Sequence, residues 1–111
     1  MIKDLSGKII TIASGRLSYE IADAKPEFVP ILGELIQNKL GFRPVGLPAI
    51  GLSEVASEIK LEDIKLGLGW DNWSGAYVMA YCDRGDSHIK KIANVLGDEI
   101  EQPKYRKYAY I

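Results

Sequence analysis

The amino-acid sequence predicts a two-layer α+β domain, in which an antiparallel sheet carries two helices on one face. Three observations support this prediction. Two stretches alternate between apolar and polar residues, two others place apolar residues at helical spacing, and together they follow a ββα-ββα-β order. At 111 residues, the chain is long enough to bury one core, so residues 1–111 are expected to form a single α+β domain.

The first predicted unit is a β-hairpin that turns near residues 13–16. Residues 8–13, KIITIA, are mostly β-branched and apolar, as is typical of a strand. In the following segment, RLSYEIA, apolar residues alternate with polar ones, which places the two sets on opposite faces of a second strand. We therefore expect this hairpin to bury one of its faces.

A helix is predicted next. Pro26 suits the first turn of a helix, because the N–H group that proline lacks has no intrahelical partner there. Apolar residues then recur at steps of three and four as far as Leu40, forming one stripe on a helix of about 14 residues. Gly41 follows, where a left-handed C-cap favours glycine.

The pattern is weakest in residues 42–63. Prolines and glycines interrupt residues 42–52, which are therefore predicted to be an irregular connection. In one interpretation Ser53 caps a short helical turn. In the other, Ile59 and Leu61 begin an extended segment, and the sequence leaves both open.

A second hairpin is predicted around LGLGWDNWSGAYVMAYCD, residues 66–83, which contains both tryptophans. Residues 64–70 alternate strictly between apolar side chains and lysine or glycine, and residues 76–82 are nearly continuously apolar, as in a central strand. A helix is expected to follow, with Asp86 as its N-cap and Gly97 as its terminator. The tail, KYRKYAYI, is predicted to form a final strand.

Both halves thus share a hairpin followed by a helix. If both helices lie on one face of the sheet, the opposite face is expected to be partly open. That face would then be available for homodimerisation or for binding.

Composition argues against several classes of function. The net charge of −1 and the pI of about 5.8 give no general attraction to nucleic acid or anionic lipid. The single cysteine, Cys82, allows neither an intramolecular disulfide nor a cysteine-based metal site. Because neither a signal-peptide run nor a membrane-spanning apolar segment is present, we expect a cytoplasmic protein without a membrane contact.

Residues suited to catalysis are scarce. His88 is the only histidine and has no recognisable partner, so a partly exposed helix position is expected for it. Cys82 ends an apolar strand and is expected to lie in the core, where a thiol is not reactive. Gly67 and Gly69 lack the third glycine and the strand-to-helix context of a dinucleotide site. We therefore expect no catalytic residues, no metal and no cofactor, and hence no enzyme.

Candidate binding residues come from the second hairpin turn and the tail: Asp71, Asn72, Trp73, Ser74, Tyr105 and Tyr108. Aspartate in a turn commonly accepts backbone N–H groups two residues further on, which is the simplest role for Asp71. Trp70 is in phase with the apolar side of its strand and is expected to be buried. Trp73 breaks that phase and is expected to be exposed.

The tail mixes lysine and arginine with tyrosine. Such a mixture binds single-stranded nucleic acid by charge and stacking in some proteins. It also suits an edge strand, where lysine discourages unwanted strand pairing. The near-zero net charge favours the edge strand.

The segment GWDNWSGAYVMAYCDRGDSHIKKIANVL resembles small bacterial toxin-immunity proteins, which are encoded beside polymorphic or contact-dependent toxins and neutralise them. The resemblance rests on a Gly-Trp-Asp turn, an apolar strand that ends in a polar loop, and a short amphipathic helix. It covers roughly the last third to half of the chain. It implies a protein that blocks a toxin domain by surface complementarity, without catalysis.

Three functional hypotheses follow. The first is a non-enzymatic protein-binding module, with aromatic anchors and with Asp71 or the acidic residues 98–101 facing a basic toxin surface. The second is a small-ligand-binding domain or enzyme, whose pocket would converge on Asp71 from Trp70, Trp73 and Tyr77. The third is nucleic-acid binding through the tail.

Overall fold

The computed structural model describes residues 3–110 and has the predicted α+β class, with a six-stranded antiparallel sheet and two α-helices. The strands are β1 (Lys8–Thr11), β2 (Leu17–Ile21), β3 (Arg43–Ile50), β4 (Glu54–Leu61), β5 (Ile64–Asp71) and β6 (Gly75–Ala80). The helices are α1 (Phe28–Leu40) and α2 (Asp83–Ile100), and a 3-10 helix follows at Pro103–Tyr108.

The sheet has the strand order β1-β2-β6-β5-β4-β3, and each neighbouring pair is antiparallel. The hairpin β1–β2 forms one side, and the continuous run from β3 to β6 forms the other. Pairing of β2 with β6 joins them in the middle. The predicted ββα-ββα-β order is therefore wrong in detail, because four strands separate the helices and no strand follows α2 as far as residue 110, where the described part of the chain ends.

The core lies between the sheet and both helices, which confirms that the helices share one face. Tyr19 of β2 is opposite Val78 of β6, and Leu68 of β5 is opposite Val78 on the other side, so the buried side chains align across the strands. Both helices bury one apolar stripe against them, which is the main stabilising contribution in a domain of this size. The stripes consist of Phe28, Val29, Leu32 and Ile36 on α1, and of Ile89, Ile92, Leu96 and Ile100 on α2.

The end of the first helix matches its prediction. Gly41 has a φ of +83° and donates its backbone N–H to the carbonyl of Gln37. This left-handed cap is the conformation that glycine adopts without a steric penalty.

The second helix is longer than predicted at both ends. It begins at Asp83, so Asp86 lies in the first turn, where its carboxylate accepts the backbone N–H of Leu17 at 2.8 Å. The expected N-cap role of Asp86 is therefore wrong, because its carboxylate joins the helix to β2. Gly97 does not end the helix either, since the apolar stripe continues to the buried Ile100.

Residues 42–52 are not an irregular connection. They contain β3, which forms an edge hairpin with β4, so the extended interpretation of residues 59–61 is confirmed and the helical turn at Ser53 is wrong. An edge strand tolerates proline because one row of its backbone N–H groups needs no partner within the sheet. The register shifts between Val45 and Ala49, around Gly46 with its φ of +67°.

The predicted final strand is wrong as well. The tail forms the 3-10 helix, whose Tyr105 and Tyr108 rings lie 5.8 Å and 5.4 Å from the Phe28 ring, centroid to centroid. Side chains at positions i and i+3 lie on the same side of a 3-10 helix, so both tyrosines reach the first residue of α1. Beyond it, Tyr110 donates its backbone N–H to the carbonyl of Asp23.

We expect Trp70→Phe to lower the free energy of unfolding by about 1–3 kcal/mol, the cost of an unpaired buried acceptor. The Trp70 indole is buried, and its Nε1 donates to the carbonyl of the buried Ala24 at 2.8 Å. Urea denaturation monitored by circular dichroism measures the difference. The exposed Trp73→Phe is the matched control and is expected to leave stability unchanged. Equal effects of the two substitutions would show that the hydrogen bond from Trp70 to Ala24 does not contribute to stability.

A second pair of variants tests the β5–β6 turn. Gly75 has a φ of +69°, and a Cβ atom there would lie 2.2 Å from the carbonyl oxygen of Ile21. Gly15 has a φ of +85° but no heavy atom near a Cβ. Gly15→Ala should therefore cost about 1 kcal/mol for the left-handed backbone alone, and Gly75→Ala about 2–4 kcal/mol, because the clash adds to it. Denaturation midpoints that fell equally would show that the close approach does not matter.

Candidate functional site

The turn between β5 and β6 is held by Asp71. Its Oδ1 accepts the backbone N–H of Trp73 at 2.9 Å and that of Ser74 at 2.6 Å. This confirms the backbone-capping role expected for an aspartate in a turn. Asn72 is exposed and Ser74 is half-buried. The carboxylate of Asp71 therefore fixes the backbone that carries the Trp73 side chain.

The two tryptophans lie in different environments. Trp70 points into the core, as its phase with Leu66 and Leu68 predicted, whereas Trp73 is almost fully exposed, also as predicted. The predicted pocket, in which Trp70, Trp73, Asp71 and Tyr77 would come together, is therefore wrong. Its residues are divided among the core, the solvent and the open face of the sheet.

The tail tyrosines are engaged in packing. Tyr105 is buried, and its hydroxyl donates to Glu99 Oε2 at 2.7 Å. Tyr108 is half-buried against Phe28. A partner cannot reach the Tyr105 ring, so the expectation that it is a binding residue is wrong, and Tyr108 offers only part of its ring. Glu99, in the acidic run of residues 98–101, also pairs with Lys104 at 3.2 Å.

Large apolar side chains are exposed at one end of the sheet. Glu54 of β4 pairs with Asp71 of β5, and these two strands are about 5 Å apart, so the β3–β4 turn and the β5–β6 turn lie side by side at the same end of the sheet. We call the group formed by Leu47, Ile50, Leu52 and Trp73 the apolar rim. Each of its four side chains is more than three-quarters exposed.

Three members of the apolar rim were missed by sequence reasoning. Leu47, Ile50 and Leu52 lie in residues 42–52, which the sequence predicts to be an irregular connection. In such a connection the sequence pattern does not indicate whether an apolar side chain points into the core or into solvent. The signal was the density of apolar residues between prolines and glycines, since a solvated loop usually contains polar residues instead.

Next to the rim, a groove of about 440 Å³ separates the N-terminal half of α1 from the β3–β4 hairpin. Ile59 and Leu68 form its floor, and Val29 and Gly33 of α1 form one wall. The Ser57 hydroxyl, which also lines it, donates to the carbonyl of Leu68 at 2.6 Å and so has its own partner. Four of the chain's five prolines also line this groove: Pro26, Pro30, Pro44 and Pro48.

The opposite face of the sheet is open, as expected, and contains a second depression of about 200 Å³. Glu20, Asp71 and Tyr77 converge there, together with the hydroxyls of Ser18 and Ser74. Burial raises the pKa of the Glu20 carboxyl, and the neighbouring Asp71 raises it further, while hydrogen bonds from the two serines lower it. Burial also raises the pKa of the Tyr77 hydroxyl, as do the nearby carboxylates.

Glycines on β5 let Tyr77 of β6 and Tyr81, which directly follows β6, lie on this open face. A Cβ atom at Gly69 would lie 2.7 Å from the Tyr77 hydroxyl oxygen, and one at Gly67 would lie 2.9 Å from that of Tyr81. Gly67 and Gly69, which lack the context of a dinucleotide site, therefore provide space for aromatic rings.

The residues considered for catalysis are separate from one another. The His88 ring packs edge-on against the buried Phe42, with the ring centroids 5.3 Å apart. Cys82 is an exposed free thiol at the start of α2, so its expected place in the core is wrong, because the strand ends at Ala80. Among residues 3–110, no three His, Cys, Asp or Glu side chains form a metal-binding group.

Neither helix in the described part of the chain is long and apolar enough to cross a membrane. Comparison with known proteins gives no matching family model, no similar curated protein and no similar solved structure.

The open-face depression gives a pH-dependent prediction. Because the folded-state pKa of Glu20 is raised, its ionised form is disfavoured in the fold, so stability falls as pH rises through that pKa. Glu20→Gln should therefore raise the free energy of unfolding at pH 7, and the gain should disappear near pH 3.5, where the glutamate is protonated in both states.

Urea denaturation at the two pH values measures this gain. The exposed Glu34→Gln on α1 is the matched control, and we expect it to show no comparable difference between them. A Glu20→Gln variant that was less stable than the parent at pH 7 would show that the carboxylate is not disfavoured.

Proposed function

We propose that this protein is a non-enzymatic protein-binding module whose contact surface includes the apolar rim. The observation that carries this proposal is the exposure of four large apolar side chains, Leu47 and Ile50 on the edge strand β3 and Leu52 and Trp73 at the two turns beside it. Single exposed apolar residues are common on any protein, but a cluster of them beside an apolar groove is typical of an interaction site.

Trp73 is the best anchor within the rim. Tryptophan is among the residues that contribute most to binding energy at protein interfaces. The backbone N–H groups of Trp73 and of the following Ser74 both donate to Asp71, so less backbone freedom is lost when a partner covers Trp73. Of the six candidate binding residues predicted from the sequence, Asp71 thus holds the backbone of the turn, and Trp73 contributes the side chain that contacts the partner.

The resemblance to toxin-immunity proteins suggests the kind of partner. We propose that the rim covers a surface of a bacterial toxin domain and neutralises it by blocking access. Glu54 and Asp71 lie at the same end of the sheet as Leu52 and Trp73, and they favour a partner with basic residues around its apolar contact.

A second candidate function is binding of a small polar ligand in the open-face depression. The convergence of Glu20, Asp71 and Tyr77 favours it. Tyr77→Phe and Glu20→Gln would abolish such binding without affecting any interaction made through the apolar rim.

The test is co-expression of the full chain with the products of the adjacent genes, followed by calorimetry on any complex that co-purifies. Trp73→Ala and Leu52→Ala are each expected to weaken binding by about 10- to 100-fold, as for central anchor residues. Both side chains are exposed, so the thermal melting point should not change.

Val95→Ala is the matched control, because Val95 is a partly exposed apolar residue on α2, away from the rim. It should leave the affinity unchanged. The proposal is overturned if no adjacent gene product binds, or if the complex forms equally well with Trp73→Ala and Leu52→Ala.

A further inference from the structure

The helix layer is narrower than the sheet. Helix α2 packs over β1, β2, β5 and β6, and α1 packs on β5 and against α2. The helix-facing side of β3 therefore extends past α1, and in β3 every residue except Val45 is exposed.

The groove described above occupies this uncovered part. Its floor is apolar and its wall is one side of α1, so a third helix could pack parallel to the groove, as helices pack on sheets. The exposed Ile50 of β3, which lines the groove, would lie along the outer side of such a helix. A segment with one apolar stripe fits this space better than a polar chain does.

Strand addition is the usual alternative at an uncovered edge, and β3 is unsuited to it. Pro44 and Pro48 have no N–H to donate to a further strand. The shift in register between Val45 and Ala49 also breaks the row of backbone groups that an added strand would need. The chemistry of the edge thus favours an occupant that binds through side chains.

The charged residues beside the groove favour an incoming helix that carries basic residues. Glu27 and Glu34 are exposed on the α1 side, seven residues or about 10.5 Å apart along the helix. Among the described residues that line the groove, no lysine or arginine balances them. An incoming helix with lysine or arginine at positions i and i+7 would pair with both carboxylates.

A second copy of this chain fits less well. A two-fold symmetric contact places the same patch of each copy against the other. Glu27 and Glu34 would then approach their own counterparts, and like charges in an interface oppose association.

We infer that the groove between α1 and the β3–β4 hairpin binds an amphipathic helix of the partner protein, with its apolar stripe on Ile59 and Leu68 and its basic residues facing Glu27 and Glu34. This inference rests on the proposed protein-binding function and specifies the part of the partner that is recognised.

The experiment uses the full chain and two fluorescein-labelled 18-residue peptides. Both carry the same leucine and alanine stripe, and their polar positions are filled with lysine in one and with glutamate in the other. Fluorescence anisotropy is expected to show binding of the lysine peptide, with affinity falling by about tenfold or more between 0.05 and 1 M salt. The glutamate peptide is expected not to bind.

Variants of the chain then locate the contact. The double variant Glu27→Lys/Glu34→Lys should weaken binding of the lysine peptide by about tenfold or more and permit binding of the glutamate peptide. Ile50→Ser should weaken binding of the lysine peptide to the parent chain and of the glutamate peptide to the double variant. Asp98→Lys is the matched control for charge, because Asp98 is exposed near the end of α2 and does not line the groove, and it should change affinity by less than about threefold.

Several results would overturn the inference. These are no binding of the lysine peptide up to 1 mM, equal binding of both peptides, or loss of binding in Asp98→Lys as large as in the double variant. Sedimentation that showed a dimer disrupted by Ile50→Ser would assign the groove to a second copy instead. If a complex with an adjacent gene product depended on Trp73 but not on Glu27, Glu34 or Ile50, the proposed function would stand and this inference would fail.

Discussion

The architecture depends on the burial of one side of a wide sheet by two helices. Hydrophobic burial holds β2, β5 and β6 against α1 and α2, and the alternation of side chains leaves the other face of these strands open. Because the helices pack on β1, β2, β5 and β6, the same arrangement leaves β3 uncovered on the helix side. The groove between α1 and the β3–β4 hairpin is a consequence of this uncovered edge.

The fold could be predicted where burial is one-sided or complete. In β5, apolar residues alternate with lysine and glycine, and the stripe of α1 ends at Gly41, so sequence and structure agree on both elements. Prediction failed for residues 42–52 because proline and glycine are generally expected to disfavour a strand. That rule holds for a central strand, whereas β3 lies at the edge of the sheet and tolerates them. It failed in the tail because Tyr105 and Tyr108, three residues apart in the 3-10 helix, both pack on Phe28. Only the tertiary structure reveals this contact.

The candidate site was predictable in part, for a similar reason. The phase of β5 separated Trp70 from Trp73, and the chemistry of a turn aspartate anticipated the bonds from Asp71. The rest of the apolar rim was not predictable, because the proximity of Leu52 to Trp73 follows from the pairing of β4 with β5. Nor could alternation alone show that Glu20 and Asp71, on strands separated by β6, share one depression.

The measurement that tests the central claim most directly is amide hydrogen exchange of the full chain, free and in complex with its partner. Docking beside α1 predicts new protection in residues 44–59, in the turn at residues 72–74 and in the first half of α1. Protection confined to β2 and β6 on the open face, or to the 3-10 helix at Pro103–Tyr108, would contradict it.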